Sequence, residues 1–403
     1  MPNNDLLDFN MYEQSLSFMG QKGTGTYSTE QTPAPKVESL TVTENGDYSA
    51  ADQGLDGFST VSVNVSGGGV IPNNPVKFYD YDGTVVYSYT AEDFLALTEM
   101  PANPTHEGLT AQGWNWSLAN AKDYVSTFGN LIVGQMYITD DSKTRIRLYN
   151  SEYGSYFVLG LKANGTSTIV VNWGDGSDSE EYTATDDWFS GEYLTHTYES
   201  DGYFTITVEV TDGNIYIGTS SGNSIFKEVN IGSNVSGIGF YGCTGLYSLT
   251  IPQGTDIYLP YDEGGELGNI SVPVLIIPKG ITALHGIIDY RNSVFYNNCV
   301  VKSIVLPDSI TEFIGQGIFD CSALSELTMP NGVEVFFGDT FGGTAFITLN
   351  IPNSVELIDT TAIMSGTLNE VVVDNVKGAI HDDDGEEWPH GYLDCKVTWL
   401  REE

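Results

Sequence analysis

A short apolar segment that ends in proline recurs through the second half of this 403-residue chain. Successive prolines are separated by 26, 29, 23 and 22 residues, and Asp374 takes the proline position a further 22 residues on. A repeat of this length with one short strand per copy predicts a solenoid, because each strand buries its apolar face only by stacking on the next copy. Proline suits the strand end, since its missing N–H would interrupt a ladder further inside. The five segments are residues 249–252, 275–278, 304–307, 327–330 and 349–352.

A second pattern precedes two of these strands. It reads F-x-C-x-x-L at 319–324 and Y-x-C-x-x-L at 241–246. The two patterns together resemble the leucine-rich repeat of bacterial surface antigens, and the resemblance extends over residues 225–378. It implies that Cys243 and Cys321 are core positions of a repeat.

The composition excludes several classes of partner. The chain has 54 Asp and Glu against 15 Lys and Arg, a formal net charge of −39, which disfavours nucleic acid and anionic lipid because both require clustered cations. The 45 Gly and 24 Tyr, with only 17% charged residues, predict a turn-rich, mainly β, multidomain protein. No apolar run is long enough to predict a membrane span. The acidic, polar first residues predict that no secretory signal is present.

Residues 151–218 show the alternation of a β-sandwich. Trp-Gly-Asp-Gly at 173–176, His-Thr-Tyr at 196–198 and the alternating stretch 202–208 resemble the polycystin-type (PKD) immunoglobulin-like domain. Trp173 is predicted to pack in the core between the two sheets. The resemblance implies a rigid spacer or a protein-contact domain, and it argues against catalysis in this part of the chain.

A small β module is predicted near the N-terminus. Strands are indicated at 40–43 and 61–65, with turn chemistry at Asn45-Gly46. The stretches TVTENGDY at 41–48 and DGFS at 56–59, with the second strand, resemble a module that recurs in structural proteins of tailed bacteriophages from gut bacteria. The resemblance implies that the chain is a virion protein.

An apolar cluster precedes this module. Its alternatives are a disordered terminus and an arm that docks on a capsid or tail protein. We predict the docking arm, with contacts made by Leu6, Leu7, Phe9, Tyr12, Leu16 and Phe18.

Residues 77–125 also resemble a module of such virion proteins. A Tyr- and Val-rich hairpin is predicted around Asp82-Gly83. Helices are predicted from about Ala91 and from about Ser117, where Ser117 is suited to be the N-cap residue. The segment is therefore expected to be a small α+β module.

Three features were candidates for chemistry. Asp80 and Asp82 match the DxDGT nucleophile motif of haloacid-dehalogenase-type phosphotransferases, but the hairpin-like surroundings favour an Asp-Gly turn. The run 381–387 is rich in the carboxylates that calcium prefers, yet it lacks the alternating ligand spacing of a calcium loop. Trp114 and Trp116 are suited either to stacking on sugars or to a module core. We predict that the protein is not an enzyme and holds no cofactor and no metal.

The cysteines support the same conclusion. They are widely spaced, form no C-x-x-C pair and have no neighbouring cluster of histidines. Buried thiols are therefore predicted rather than a zinc site or a disulfide framework, at Cys243, Cys299, Cys321 and Cys395.

These observations predict a structural protein of a bacteriophage virion. It would be a fibre or decoration subunit on the capsid or tail, assembled in the host cytoplasm and exposed on the particle. Its solenoid would bind a glycan or protein of the bacterial surface, and a homo-oligomer, by analogy with phage fibres a trimer, is expected. The alternative is a secreted or surface-anchored bacterial leucine-rich-repeat adhesin.

The predicted domain order runs from an anchoring arm to a capping strand. It comprises an N-terminal virion-anchoring arm and linker (1–36), a small β module (37–66), a Gly-rich linker (67–75), a small α+β module (76–150), a PKD-like immunoglobulin-like domain (151–218), an irregular leucine-rich-repeat solenoid (219–378), and an acidic loop with a capping strand (379–403).

Overall fold

A computed structural model gives the fold in two compact units, Met1–Pro72 and Asn73–Glu403. The residues that the structure describes are 46–49, 60–63, 74–151, 159–163, 165–185, 193–219, 225–257, 266–287, 293–298, 300–319, 321–364, 366–389 and 393–402.

The first unit contains one described hairpin. Strand β1 (Gly46–Ser49) pairs antiparallel with β2 (Thr60–Val63), and Gly46 lies opposite Val63. Strand β2 overlaps the strand predicted at 61–65. Strand β1 begins at Gly46, where a turn was predicted, and it contains Tyr48, a residue of high strand propensity. Residues 40–43 lie outside the described ranges.

The second unit begins with an α+β module. Its elements are β3 (Val76–Tyr79), β4 (Val85–Tyr89), α1 (Ala91–Ala96), β5 (Leu109–Trp114), α2 (Leu118–Phe128) and β6 (Leu131–Thr139). The sheet order is β4-β3-β6-β5, with β3 parallel to β6 and the other pairs antiparallel. The core is aromatic, and the rings of Phe78 and Trp114 meet edge to face with centroids 4.8 Å apart.

Both helices of the module begin where the sequence predicts. The Ser117 hydroxyl accepts the backbone N–H of Asn120, so Ser117 is the N-cap of α2, and Thr90 caps α1 in the same way. Helix α2 ends at Gly129, whose φ of 74° is a left-handed conformation that glycine adopts without strain. No helix within the described residues combines the length and the apolar character needed to cross a membrane.

A β-sandwich follows the module. One sheet contains β7 (Thr144–Asn150), β9 (Ser167–Asn172), β10 (Glu180–Ala184) and β12 (Gly202–Asp212), and the other contains β8 (Leu159–Ala163), β11 (Tyr193–Leu194) and β13 (Ile215–Thr219). Trp173, Ile206 and Val208 are buried between the sheets. The segment 76–150, predicted as the α+β module, ends with β7. This strand pairs with β12 and therefore lies in a sheet of the sandwich.

The repeat region continues both sheets of the sandwich. Strand β14 (Phe226–Asn230) pairs antiparallel with β7 and β16 (Ser248–Thr250) pairs parallel with β14, while β15 (Val235–Phe240) pairs parallel with β13. One hydrophobic core extends from Ile146 in the sandwich to Trp388. The sandwich therefore closes the first turn of the solenoid, whose apolar interior would otherwise be open to water.

Each copy of the solenoid contributes strands to two ladders, whereas one strand per copy was predicted. The first ladder contains β17 (Val274–Ile276), β19 (Ser303–Val305), β21 (Glu326–Leu327), β23 (Thr348–Ile351), β25 (Glu370–Val373) and β26 (Lys396–Trp399). The second contains β18 (Ala283–His285), β20 (Glu312–Ile314), β22 (Val335–Phe336) and β24 (Leu357–Ile358). Each ladder is divided into two sheets, β17-β19-β21 and β23-β25-β26 in the first, and β18-β20 and β22-β24 in the second. The second ladder was not predicted because its strands have two or three residues and, unlike the predicted strands, no proline follows them to mark their ends.

Stacked side chains fill the solenoid interior. The rings of Phe295, Phe319 and Phe341 stack with centroid separations of 5.8 and 5.5 Å. Cys243 and Cys321 are buried, as the repeat pattern predicts, whereas Cys395 is only half-buried and Cys299 lies outside the described residues. The predicted capping strand is β26, which pairs parallel with β25.

Candidate binding surface

The α+β module covers part of the outward face of the first ladder. Val274, Ile276 and Val305 of the solenoid form an apolar cluster with Tyr79 and Ile132 of the module. All five side chains are at least nine-tenths buried. The outward face of β17 and β19 is thus occupied by the chain itself and is not open to a ligand of the solenoid.

Asn115 and Trp116 fix the module to two successive turns of the solenoid. The Asn115 amide donates to the carbonyl oxygens of Ile277 and Val305, both at 3.0 Å, and the Trp116 indole N–H donates to the Leu306 carbonyl at 2.7 Å. Trp116 is only 2% exposed and Trp114 only 6%. The tryptophans are therefore core residues, and their rings are not available to stack on a sugar.

Two carboxylates at this contact accept hydrogen bonds from the module. Glu326 accepts Lys77 Nζ and Tyr79 Oη, each at 2.6 Å. Burial alone would raise the pKa of Glu326, but these two donors outweigh it, and the pKa lies below its ordinary value. Burial and then the bond to Glu326 raise the pKa of Tyr79. The carboxylate therefore stays charged and the phenol stays neutral at neutral pH.

Asp308 is the second carboxylate. Its Oδ2 accepts the backbone N–H of Ser117 and the Asn120 amide, both at 2.8 Å, and Lys279 Nζ lies 2.9 Å from Oδ1. Burial alone would raise the pKa of Asp308, but these donors lower it below its ordinary value. Asp308 also lines a cleft of about 240 Å³ beside Trp116. Its role in fixing helix α2 accounts for it without a ligand.

The DxDGT motif forms a hairpin turn. The N–H of Gly83 donates to the Asp80 carbonyl at 3.0 Å, and Asp82 Oδ1 accepts the N–H of Thr84 at 2.9 Å. Asp80 Oδ1 accepts the N–H of Tyr81, and Oδ2 lies 2.7 Å from His106 Nε2. The Asp80 side chain is 4% exposed. Both carboxylates therefore fit the turn-forming role that the surrounding sequence favours.

The Trp-Gly-Asp-Gly and His-Thr-Tyr motifs meet at one end of the sandwich. His196 Nε2 lies 2.7 Å from Asp175 Oδ2, and its ring stacks on Trp173 with centroids 4.7 Å apart. The Tyr198 hydroxyl donates to the Trp173 carbonyl at 2.9 Å. Hydrogen bonds from Ser177, followed by His196, lower the pKa of Asp175 to about 2. The motifs thus tie two segments of the sandwich together, residues 173–177 and 196–198.

The acidic run 381–387 closes on itself. Asp382 Oδ1 accepts the backbone N–H groups of Asp384 and Glu386 at 3.1 and 2.8 Å, and the Asp383 carboxylate accepts the N–H of Thr360. Among the residues that the structure describes, no three or more His, Cys, Asp or Glu side chains are grouped to hold a metal ion.

Three exposed tyrosines cluster around one ion pair on the outer face of the larger sandwich sheet. Tyr149 on β7, Tyr203 on β12 and Tyr247 just before β16 are 39, 58 and 41% exposed, and they are the exposed tyrosines of the described part of the chain. Arg147 Nη1 on β7 lies 2.5 Å from Glu228 Oε1 on β14. We call these five residues the tyrosine surface.

Close contacts order the tyrosine surface. Tyr149 and Tyr203 are opposite each other in the β7–β12 pair, with ring centroids 4.9 Å apart and a 58° interplanar angle. The Arg147 guanidinium carbon lies 4.5 Å from the Tyr203 ring centroid, within cation–π distance. The Tyr247 hydroxyl donates to Glu228 Oε1 at 2.5 Å. The rings are therefore held in place before any ligand arrives.

The ion pair fixes the charges of the tyrosine surface. Partial burial alone would lower the pKa of Arg147, but Glu228 outweighs it and the pKa rises. Burial and then the Glu228 carboxylate raise the pKa of Tyr247. Arg147 is therefore charged and Tyr247 neutral at physiological pH, and this group of side chains carries no net charge.

Sequence analysis did not identify the tyrosine surface. Its tyrosines lie 44 or more positions apart in the chain. The sequence does predict that Tyr203 faces outward, because Ile206 and Val208 face the core and side chains alternate along a strand. The six apolar residues predicted to dock on a virion, Leu6, Leu7, Phe9, Tyr12, Leu16 and Phe18, lie outside the described residues.

A family comparison agrees with the repeat architecture. Residues 277–369 match the family described as BspA type leucine rich repeat region, in six copies. No curated protein matches the chain. A crystal structure of a leucine-rich repeat protein from Bacteroides ovatus aligns at 13% identity and a TM-score of 0.22, covering 42% of this chain and 54% of that one. The chain thus spans about half the length of that protein. The protein is mainly β, and its residues 277–369 form a BspA-type leucine-rich-repeat region.

Proposed function

We propose that this chain is a non-catalytic adhesion protein that binds a bacterial surface through the tyrosine surface. The observation that carries the proposal is a cluster of exposed rings around the Arg147–Glu228 ion pair, in which Tyr203 and Tyr247 contact the pair and Tyr149 packs against Tyr203. Tyr and Arg are enriched among the residues that dominate binding energy at interfaces, and clustered exposed rings commonly mark interaction sites.

The repeats support an adhesive role as a scaffold. Their sequence resembles the repeat of bacterial surface antigens, and residues 277–369 match the BspA-type family. A solenoid that continues the sheets of the sandwich provides a rigid support for the tyrosine surface, since neighbouring turns share one core. The polycystin-type assignment of the sandwich and a homotrimeric assembly belong to this proposal.

A bacterial cell is the carrier that we favour, because the BspA-type match supports a surface-anchored or secreted leucine-rich-repeat adhesin. A phage virion is the second candidate. It is favoured by hairpin β1–β2, which lies in the segment that resembles a phage structural module. In that case residues 1–36 would contact a capsid or tail protein, and the remaining domains would be displayed outside the particle.

Binding to intact cells tests the proposed function. The purified full chain, fluorescently labelled, is titrated onto a panel of Gram-positive and Gram-negative bacteria. We expect saturable binding to at least one species. An absence of saturable binding to every species would overturn the adhesive function, and phosphatase activity that is lost on Asp80→Asn would overturn its non-catalytic character.

The carrier is tested separately. Purified phage particles and fractionated bacterial envelopes are probed for the full chain and for a chain lacking residues 1–36. Recovery of both chains in the envelope fraction is expected for an adhesin. Recovery of only the full chain with particles would replace the bacterial carrier with the virion.

A further inference from the structure

We infer that the tyrosine surface binds a neutral glycan, with sugar rings lying against Tyr149 and Tyr203 and sugar hydroxyl groups bonded to Arg147 and Glu228. The inference rests on the proposed function and names the class of ligand at the same site. Four observations favour this ligand: the exposed rings, their fixed positions, the mixed polar groups between them, and the charge balance.

The rings provide apolar faces that a sugar fits. The face of a pyranose carries C–H groups with a small positive charge, and the face of an aromatic ring is the negative side of its quadrupole. Tyr149 and Tyr203 form an open corner on the sheet, with centroids 4.9 Å apart. Tyr203 remains 58% exposed although Arg147 covers part of it. A sugar that covers these rings removes apolar area from water.

The ordering of the rings favours binding. A ligand that must immobilise a rotamer-rich side chain loses about 0.5–1.5 kcal/mol for each one. Arg147 already holds Tyr203 by a cation–π contact, and Glu228 already holds Tyr247 by a hydrogen bond. Little further ordering is required when a ligand binds.

The polar groups between the rings suit hydroxyl groups. A guanidinium has five N–H donors and a carboxylate has two acceptor oxygens, so the Arg147–Glu228 pair offers both kinds of partner to a vicinal diol. Both side chains are partly exposed, at 42% for Arg147 and 27% for Glu228. The side chains of the tyrosine surface lie on or beside four neighbouring strands, β12, β7, β14 and β16. Three inter-strand spacings amount to about 14 Å, which is enough for a short oligosaccharide.

The charge balance favours a neutral glycan over an anionic glycan. Arg147 is neutralised by Glu228, so the tyrosine surface has no cation in excess, and the whole protein carries a formal charge of −39. A teichoic acid or an acidic capsule would be repelled. A neutral polysaccharide avoids this repulsion, and its binding should depend little on salt.

Affinity electrophoresis tests the inference. The full chain is run in native gels that contain yeast mannan, dextran, barley β-glucan or xylan, and in gels that contain polygalacturonate as an anionic comparator. Three variants accompany it: Tyr203→Ala, Tyr203→Phe, and Phe337→Ala as a matched control. Phe337 is 37% exposed and follows strand β22 of the solenoid, whereas the tyrosine surface is formed by β7, β12, β14 and the residue before β16. All four chains have the same charge, so differences in mobility report binding.

We expect at least one neutral polysaccharide to retard the full chain. Tyr203→Ala should weaken that retardation roughly tenfold or more, because a central ring is lost. Tyr203→Phe and Phe337→Ala should behave like the full chain. The inference is overturned if no neutral gel retards the protein, if only polygalacturonate does, or if Tyr203→Ala is retarded as strongly as the full chain.

Treated cells separate this inference from the proposed function. Periodate cleaves the vicinal diols of glycans, and proteinase K removes surface proteins. Loss of cell binding after periodate but not after proteinase K is expected. Loss only after proteinase K would leave adhesion in place and would identify a protein partner, which overturns the glycan inference alone.

Discussion

Replacement of Asn115 should weaken the contact between the α+β module and the solenoid, because the Asn115 side chain bonds to two turns of the solenoid. In Asn115→Ala, the Ile277 carbonyl loses the Asn115 amide and the Gly134 N–H loses the Asn115 Oδ1, whereas the Val305 carbonyl keeps the N–H of Ile277. Two buried backbone groups are thus left without these partners. Each costs about 1–3 kcal/mol, so the free energy of unfolding should fall by about 2–6 kcal/mol.

Urea denaturation followed by tryptophan fluorescence measures this loss, since buried Trp116 reports on the same contact. Asn120→Ala is the matched control. Asn120 is exposed, and Asp308 Oδ2 keeps the N–H of Ser117 when the Asn120 amide is removed, so a change below about 1 kcal/mol is expected. If the two variants lose stability to the same extent, the hydrogen bonds of Asn115 do not hold the module on the repeats.

Three further predictions concern the packing. Glu326 and Asp308 have folded-state pKa values below the ordinary 4.5 and 3.8, so their stabilisation is present above those values and is lost as the pH falls through the lower folded-state values. Urea titrations at a series of pH values should accordingly show that the free energy of unfolding falls less steeply with acid in Glu326→Gln than in the unmodified chain. Identical pH dependence in the two proteins would contradict this. Gly134→Ala places a Cβ 2.5 Å from Ile276 Cγ2 and 2.8 Å from its Cγ1, and thermal unfolding should show a loss of about 1–3 kcal/mol. The double variant Gly134→Ala/Ile276→Ala removes both Cγ atoms and should lose less than the sum of the two single variants. Tyr198→Phe removes the bond to the Trp173 carbonyl and should lower the free energy of urea unfolding by about 1–2 kcal/mol, whereas no change would show that this bond does not stabilise the sandwich.

The first ladder could be predicted because its sequence signal is local. An apolar strand followed by proline identifies β17, β19, β21 and β23 of this ladder, and β16 before it, with the prolines recurring at intervals of 22 to 29 residues. The N-cap at Ser117 was predictable for the same reason, since one hydroxyl and the N–H three residues on decide it.

The contacts between modules could not be predicted, because they join residues far apart in the chain. Asn115 reaches the Val305 carbonyl across 190 positions, and Lys77 reaches Glu326 across 249. No local pattern distinguishes a buried, bonded Trp116 from one that is exposed for ligand binding. The tyrosine surface shares this property, since sheet register rather than sequence spacing brings Arg147 opposite Glu228.

The most direct test of adhesion through the tyrosine surface is a cell-binding titration of the double variant Tyr149→Ala/Tyr203→Ala beside Phe337→Ala. All three side chains are exposed, so both chains should keep the fold. The double variant should bind cells roughly tenfold or more weakly than the unmodified chain, and Phe337→Ala should bind as tightly as the unmodified chain. Equal binding by the double variant and Phe337→Ala would contradict adhesion through this surface.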